Sequence, residues 1–120
     1  MHKILIVDDE PNIVMSLDYL LRRKNYNVFV ARNGSEALSA IEEHKPDLIL
    51  LDIMMPDVDG YEICERVKAD PETHQIKIIF ISAKSKKSDI EKGYELGADM
   101  YMVKPFSNKD LLDQITKQLS

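Results

Sequence analysis

Carboxylates stand directly after two apolar runs. Asp8 and Asp9 follow Ile4-Leu5-Ile6-Val7, and Asp52 follows Leu48-Ile49-Leu50-Leu51. Short, continuously apolar runs fit strands buried on both faces of a parallel sheet. Acids that end such strands on the same side of a sheet gather like charge. Like charges at short range resist ionisation and burial unless a cation or a covalent event uses them. The pattern points to a divalent metal, to chemistry on a carboxylate, or to both. Ser82 and Lys104 follow two further apolar runs, Ile76–Ile81 and Met100–Val103. Ligands of open α/β sheets bind beyond the carboxyl ends of the strands. Acids, a hydroxyl and an amine therefore converge on one rim. A single acid after a strand is often only a helix cap, and a lone loop Ser or Lys is usually solvated surface. The joint placement on four strand ends carries the signal.

The chemistry of these groups assigns roles. Mg²⁺ prefers about six oxygen ligands and usually keeps several waters, so one or two carboxylates suffice. Asp8 and Asp9 are its anchors, directly or through water. Asp52 is then the reacting carboxylate, a weak nucleophile able to form an acyl phosphate with a metal-bound phosphoryl group. The metal, Lys104 and Ser82 would stabilise charge on the transferred oxygens.

Alternating strands and helices must position these residues. After Ile4–Val7, Pro11 suits a first helical turn, and Ile13, Val14, Leu17, Leu20 and Leu21 follow at helical spacing. Val28–Val30 reads as a second strand. Asn33-Gly34 reads as a turn, with Ser35 capping a helix that carries Ala37, Leu38 and Ile41. His44-Lys45-Pro46 ends it. Leu48–Leu51 is the third strand, and Ile63 and Val67 mark a third helix after a Pro56–Gly60 loop. Ile76–Ile81 is the fourth strand, interrupted by Lys77. A helix around Ser88–Leu96 closes at Gly97-Ala98, Met100–Val103 is the fifth strand, and Asn108–Leu119 is the last helix. Five βα units imply a parallel sheet with helices on both faces, a doubly wound α/β domain spanning residues 1–120.

Composition narrows the classes. The chain has 120 residues and a net charge of −5, which fits one domain with one core and disfavours direct nucleic-acid or anionic-membrane binding. The first apolar run is too short for a signal peptide or a membrane span, so a cytoplasmic location is the default. Cys64 is the only cysteine, so no internal disulfide forms, and it reads as a packed apolar residue. His2, His44 and His74 lack ligand spacing and read as exposed histidines.

The chain closely resembles the receiver domain of two-component response regulators over essentially its whole length. The resemblance rests on Asp8-Asp9-Glu10, the stretch Asp52–Gly60, Ser82-Ala83, Gly97-Ala98-Asp99 and Lys104-Pro105-Phe106. It implies a flavodoxin-like (βα)5 fold with strand order 2-1-3-4-5. It implies that Asp52 is the phosphoacceptor, supplied by a sensor histidine kinase or a histidine phosphotransfer protein. Asp9, Asp52 and the Met54 carbonyl would bind Mg²⁺ (or Mn²⁺), supported by Asp8. Ser82 resembles the switch hydroxyl, Lys104 the ammonium that pairs with the phosphoryl group, and Tyr101 the aromatic that swings inward. Lys104-Pro105 would be a cis peptide. Such a domain is a bacterial phosphorelay switch rather than a turnover enzyme on an external substrate. Phosphorylation shifts a population and alters the surface of the fourth helix, fifth strand and last helix. That surface would engage an effector or a fused output domain, or form a phosphorylation-dependent dimer.

Several positions depart from the family's habits. Ser82 replaces a commoner threonine and keeps the hydroxyl. Lys77 stands where many members have proline. Met100 replaces a frequent aspartate after Asp99, and Gln114 replaces an arginine usual in regulators that dimerise through that face, which weighs against their ion-paired dimer. Lys84, Lys86 and Lys87 form a small basic cluster that reads as a solvated loop. Met54, apolar and beside the site, would hinder attacking water and lengthen the life of the phosphoryl group. A haloacid-dehalogenase-like phosphatase needs a second aspartate where Met54 stands. A flavin or nucleotide binder needs a glycine- or hydroxyl-rich first loop, whereas this one reads Asp8-Asp9-Glu10-Pro11. An unphosphorylated interaction module of the same shape is the remaining alternative.

Overall fold

A computed structural model describes residues 1–120. Strands β1 (Lys3–Val7), β2 (Asn27–Ala31), β3 (Leu48–Leu51), β4 (Lys77–Ser82) and β5 (Met100–Val103) alternate with helices α1 (Pro11–Arg23), α2 (Gly34–His44), α3 (Gly60–Ala69), α4 (Lys87–Glu95) and α5 (Asn108–Leu119). The sheet is parallel throughout, in the order β2-β1-β3-β4-β5. The doubly wound flavodoxin-like arrangement expected from the sequence is the one observed.

Alternation along the strands builds two half-cores. Leu5, Val7, Ile49, Leu51, Ile78 and Phe80 face α2 and α3, meeting Ala37, Ile41, Ile63, Cys64 and Val67. Ile4, Ile6, Leu48, Leu50, Ile79 and Ile81 face α1 and α5, meeting Val14, Leu17, Leu21, Leu111 and Ile115. Each fully buried Leu, Ile or Phe among them contributes about 1.5–3 kcal/mol of burial free energy. The central strands are apolar on both sides because helices cover both faces.

Helix ends refine the sequence expectations. The cap of α2 is Asn33, whose side chain accepts from the Glu36 N–H at 2.9 Å. Ser35 is the second residue of the helix, so the expected Asn33-Gly34 turn is the helix entrance itself. Strand β4 starts at Lys77, because the Ile76 N–H is already spent in a turn on the Thr73 carbonyl. Helix α4 closes as a Schellman motif: the N–H of Gly97 reaches the Tyr94 carbonyl and that of Ala98 the Gly93 carbonyl. Gly97 has φ +107°, which a side chain would strain.

The histidine expectation needs one correction. His44 is half-buried, its ring stacked on Phe29 with centroids 3.9 Å apart. Cys64 is fully buried, and burial pushes its thiol up to about 11, the state of an inert packing residue.

Candidate functional site

The ladder does not stop at the strand ends. The Asp8 N–H donates to the Ala31 carbonyl (3.1 Å), that of Asp52 to Val7 (2.9 Å) and that of Lys104 to Ser82 (2.8 Å). Asp8, Asp52 and Lys104 are therefore each held by a backbone bond to the neighbouring strand. This is why the rim can hold like charges close together.

Asp8 is fully buried and Asp52 is 5% exposed, while Asp9 faces solvent. One oxygen from each of the three carboxylates lies within 4.8 Å of the others. Asp8 Oδ1 accepts the Glu10 N–H at 2.9 Å, and Asp8 Oδ2 accepts Lys104 Nζ at 3.0 Å. Lys104 Nζ also donates to Glu10 at 3.3 Å and stands 4.0 Å from Asp52 Oδ1. Asp52 Oδ1 accepts the Ile53 N–H at 2.9 Å. Lys104 thus gives its short contacts to Asp8 and Glu10 and its longest to Asp52.

The electrostatics follow from that geometry. Burial first, and the Asp8 charge second, push the Asp52 carboxyl up to about 6, against the opposing pull of Lys104. On Lys104, burial opposes the charge, but Asp8, Asp52 and Glu10 outweigh it and raise the ammonium above its ordinary range. The rim carries more negative charge than its one ammonium balances. Three hard oxygen donors at this spacing fit Mg²⁺ in donor type and charge.

Ser82 ends β4 fully buried, and its Oγ accepts the Lys84 N–H at 3.1 Å. The Tyr101 hydroxyl donates to the Lys84 carbonyl at 2.7 Å. One residue, Lys84, links the two groups expected to switch. The Tyr101 ring is already inside, 6% exposed and packed at 5.8 Å from Phe80. Lys104-Pro105 is cis. Met54 stands at the rim, 60% exposed. Of the basic cluster, Lys84 lies in the loop, 4.0 Å from Asp89, whereas Lys86 is the N-cap of α4 and Lys87 its exposed first residue, 3.8 Å from Glu91, so the expected solvated loop is in part the start of a helix.

Gly93 of α4 makes room for Tyr101. A Cβ there would stand 3.0 Å from Tyr101 Cδ2 and 3.1 Å from Phe80 Cδ2. Phe80 is fully enclosed, whereas Tyr101 borders solvent. Gly93→Ala is therefore expected to drive the Tyr101 ring outward. Nitration of Tyr101, mapped by mass spectrometry, should speed up several-fold. Unchanged nitration would show that α4 shifts instead.

Sequence reasoning located the rim and missed its supports. Glu10, in the sequence only a member of the Asp8-Asp9-Glu10 motif, is the second partner of Lys104. Asp57, which the sequence places only in the Pro56–Gly60 loop, has a carboxylate that accepts from Gly34 N (2.8 Å), Ser35 N (3.0 Å) and Ser35 Oγ (2.8 Å).

Acids, an ammonium and a hydroxyl thus stand around the carboxyl rim of a doubly wound parallel sheet. Residues 4–116 match the family described as the response regulator receiver domain. The chain is 46% identical over 109 residues to the alkaline phosphatase synthesis transcriptional regulatory protein PhoP of Bacillus subtilis. That match covers 91% of this chain and 45% of the relative, so the chain spans less than half of the relative's length. A CheY-like response regulator receiver domain protein from Methanospirillum hungatei superimposes with a TM-score of 0.93 at 32% identity, covering 99% of this chain and 94% of that one. The signal receiver domain of a signal transduction histidine kinase from Syntrophus aciditrophicus gives 0.92 at 33% identity, covering 99% and 90%. The chain belongs to the receiver domain family of two-component response regulators. No helix is long and apolar enough to cross a membrane.

Proposed function

We propose that residues 1–120 act as one cytoplasmic receiver unit that accepts a phosphoryl group on Asp52 from a sensor histidine kinase or a histidine phosphotransfer protein. The observation that carries this reading is the cluster of Asp8, Asp9 and Asp52 beside the Lys104 ammonium, with Asp8 and Asp52 buried. An Asp52 oxygen attacks phosphorus, and the bond to the donor breaks as the acyl phosphate forms. Asp8, Asp9 and Asp52, with the Met54 carbonyl, would hold Mg²⁺ or Mn²⁺, which when bound supplies positive charge for the phosphoryl oxygens. Lys104 neutralises a second part of that charge, and Ser82 donates a third contact. The domain assists its own phosphorylation and dephosphorylation and does not turn over an external substrate.

Ser82 and Tyr101 supply the output step. When the Ser82 hydroxyl turns to the phosphoryl group, its bond to the Lys84 N–H is given up, and the Tyr101 anchor on Lys84 is disturbed with it. The face formed by α4, β5 and α5 then changes. Its readers are an effector protein, a fused output segment or a second copy of the chain. The PhoP relative is by name a transcriptional regulator. In this chain nucleic-acid contact would belong to a reader of that face, because the domain itself is acidic.

The test is intact mass after incubation with Mg²⁺ and a small acyl phosphate, alone and with Asp52→Asn. One added phosphoryl group, dependent on Mg²⁺ and absent in the variant, is the expected result. No addition, with a control receiver modified under the same conditions, would favour an interaction module or strict kinase dependence, which cognate phosphotransfer then separates. Once the phosphorylated form is in hand, Met54→Asn is expected to speed its decay several-fold by replacing an apolar rim group with one that can hold water. An unchanged decay rate would remove Met54 as the shield.

A further inference from the structure

The segment from Asp52 to Gly60 closes on itself at its base. The Gly60 N–H donates to the Ile53 carbonyl at 2.9 Å, and a Cβ on Gly60 would strike the Asp52 carbonyl oxygen. Its tip is fastened separately, to the entrance of α2. Asp57 Oδ1 accepts from Gly34 N (2.8 Å), and Oδ2 accepts from Ser35 N (3.0 Å) and Ser35 Oγ (2.8 Å). Val58 presses on the same helix end so closely that a Cβ on Gly34 would lie 2.6 Å from its carbonyl oxygen.

The first N–H groups of a helix have no partners within the helix. In α2, Asp57 takes those of Gly34 and Ser35, and Asn33 takes that of Glu36. Two acceptors therefore cap one helix end, and they differ in one respect. Asn33 belongs to α2's own entrance. Asp57 comes from the loop that carries Met54, and it brings that loop to the helix. The positive end of the helix favours a carboxylate there. A loop capped at its tip and closed at its base has little freedom left for the Met54 peptide between them.

We propose that Asp57 is a positioning residue for the phosphoryl site: its carboxylate pins the loop's tip to the N-terminus of α2 and so holds in place the Met54 peptide, whose carbonyl would be a metal ligand. This rests on the metal set assigned under the proposed function. Groups that orient a metal's ligands commonly contribute about tenfold or more to its affinity. Asp57 acts three residues away through the backbone, so Asp57→Ala is expected to weaken Mg²⁺ binding by about threefold to tenfold, at or below that range.

The experiment compares the parent with Asp57→Ala, Ser35→Ala and Asn33→Ala in the full chain. Mg²⁺ affinity is read from amide shifts of Asp52, Ile53 and Met54, and stability from thermal unfolding. Asn33→Ala removes a cap from the same helix end without touching the loop. It should lower the melting temperature by about as much as Asp57→Ala, a few degrees, and leave Mg²⁺ affinity unchanged. Ser35→Ala removes one of the three bonds to Asp57 and should fall between the parent and Asp57→Ala in affinity. Phosphorylation of Asp57→Ala by a small acyl phosphate should be slow at low Mg²⁺ and recover at saturation. If the parent binds Mg²⁺ and Asp57→Ala binds it equally tightly, the tether is only a helix cap and the proposal is overturned. If the parent itself binds none, the metal assignment fails and takes this proposal with it.

Discussion

Asp52→Asn is expected to make the protein more stable at neutral pH while stripping it of its phosphoryl acceptor. Asp52 is almost enclosed, and burial together with the Asp8 charge raises its carboxyl from 3.8 to about 6. The folded state therefore holds a proton more readily than the unfolded one. A group of this kind favours folding fully below the unfolded value, and that support is lost as pH rises through the folded one. The span from 3.8 to about 6 corresponds to at most about 3 kcal/mol. Asn is nearly isosteric and keeps an oxygen to accept the Ile53 N–H, so the variant escapes the charge and keeps the hydrogen bond. Chemical denaturation across a pH series should show the two proteins nearly equal near pH 4. The gap in favour of Asn should open between pH 4 and 6 and stay level above. Excess Mg²⁺ should narrow it, because a cation relieves the same repulsion in the parent. A variant less stable than the parent at pH 7 would mean that the Lys104 attraction outweighs burial.

The frame for that prediction was readable in the sequence for a physical reason. A strand covered on both faces must be apolar at every position, so β1 and β3 announce themselves, and so do the polar residues that end them. Asp8, Asp52, Ser82 and Lys104 were found by where the apolar runs stop. Supports that join distant segments left no such mark. Asp57 reaches an α2 entrance 22 and 23 residues earlier, from a loop without periodicity. Asn33 and Ser35 are both good helix caps, and only the Glu36 three residues after Asn33 favoured the first. The position of the Tyr101 ring was beyond reach, because a tyrosine on an edge strand suits either side. The absence of a side chain at Gly93 is the feature that admits it inward. The choice of Lys104 among several acids is likewise set by a rim geometry that spacing does not encode.

That choice makes Lys104→Ala informative, because stability, metal binding and chemistry should move differently. Lys104 is the donor to Asp8 Oδ2, and its side chain is only 12% exposed beside a fully buried carboxylate. Removing one partner of such a pair leaves an uncompensated buried charge, at a cost of about 3 kcal/mol or more. Without Mg²⁺ the variant should therefore be markedly less stable than the parent. The same ammonium stands 4.0 Å from Asp52 and competes with any cation for the rim. Its loss should strengthen Mg²⁺ binding by about tenfold, a modest share of the Coulomb energy of charges at that distance after screening. Mg²⁺ should accordingly rescue much of the stability. Phosphoryl acceptance at saturating Mg²⁺ should nevertheless slow by about tenfold to a hundredfold, since a fixed donor to the transferred oxygens has gone. Tighter metal binding with slower chemistry is a combination that simple unfolding cannot produce, because a loosened rim would weaken both. If Mg²⁺ affinity and the saturated rate fall together in folded protein, Lys104 holds the rim's shape, and its charge is not what the site uses.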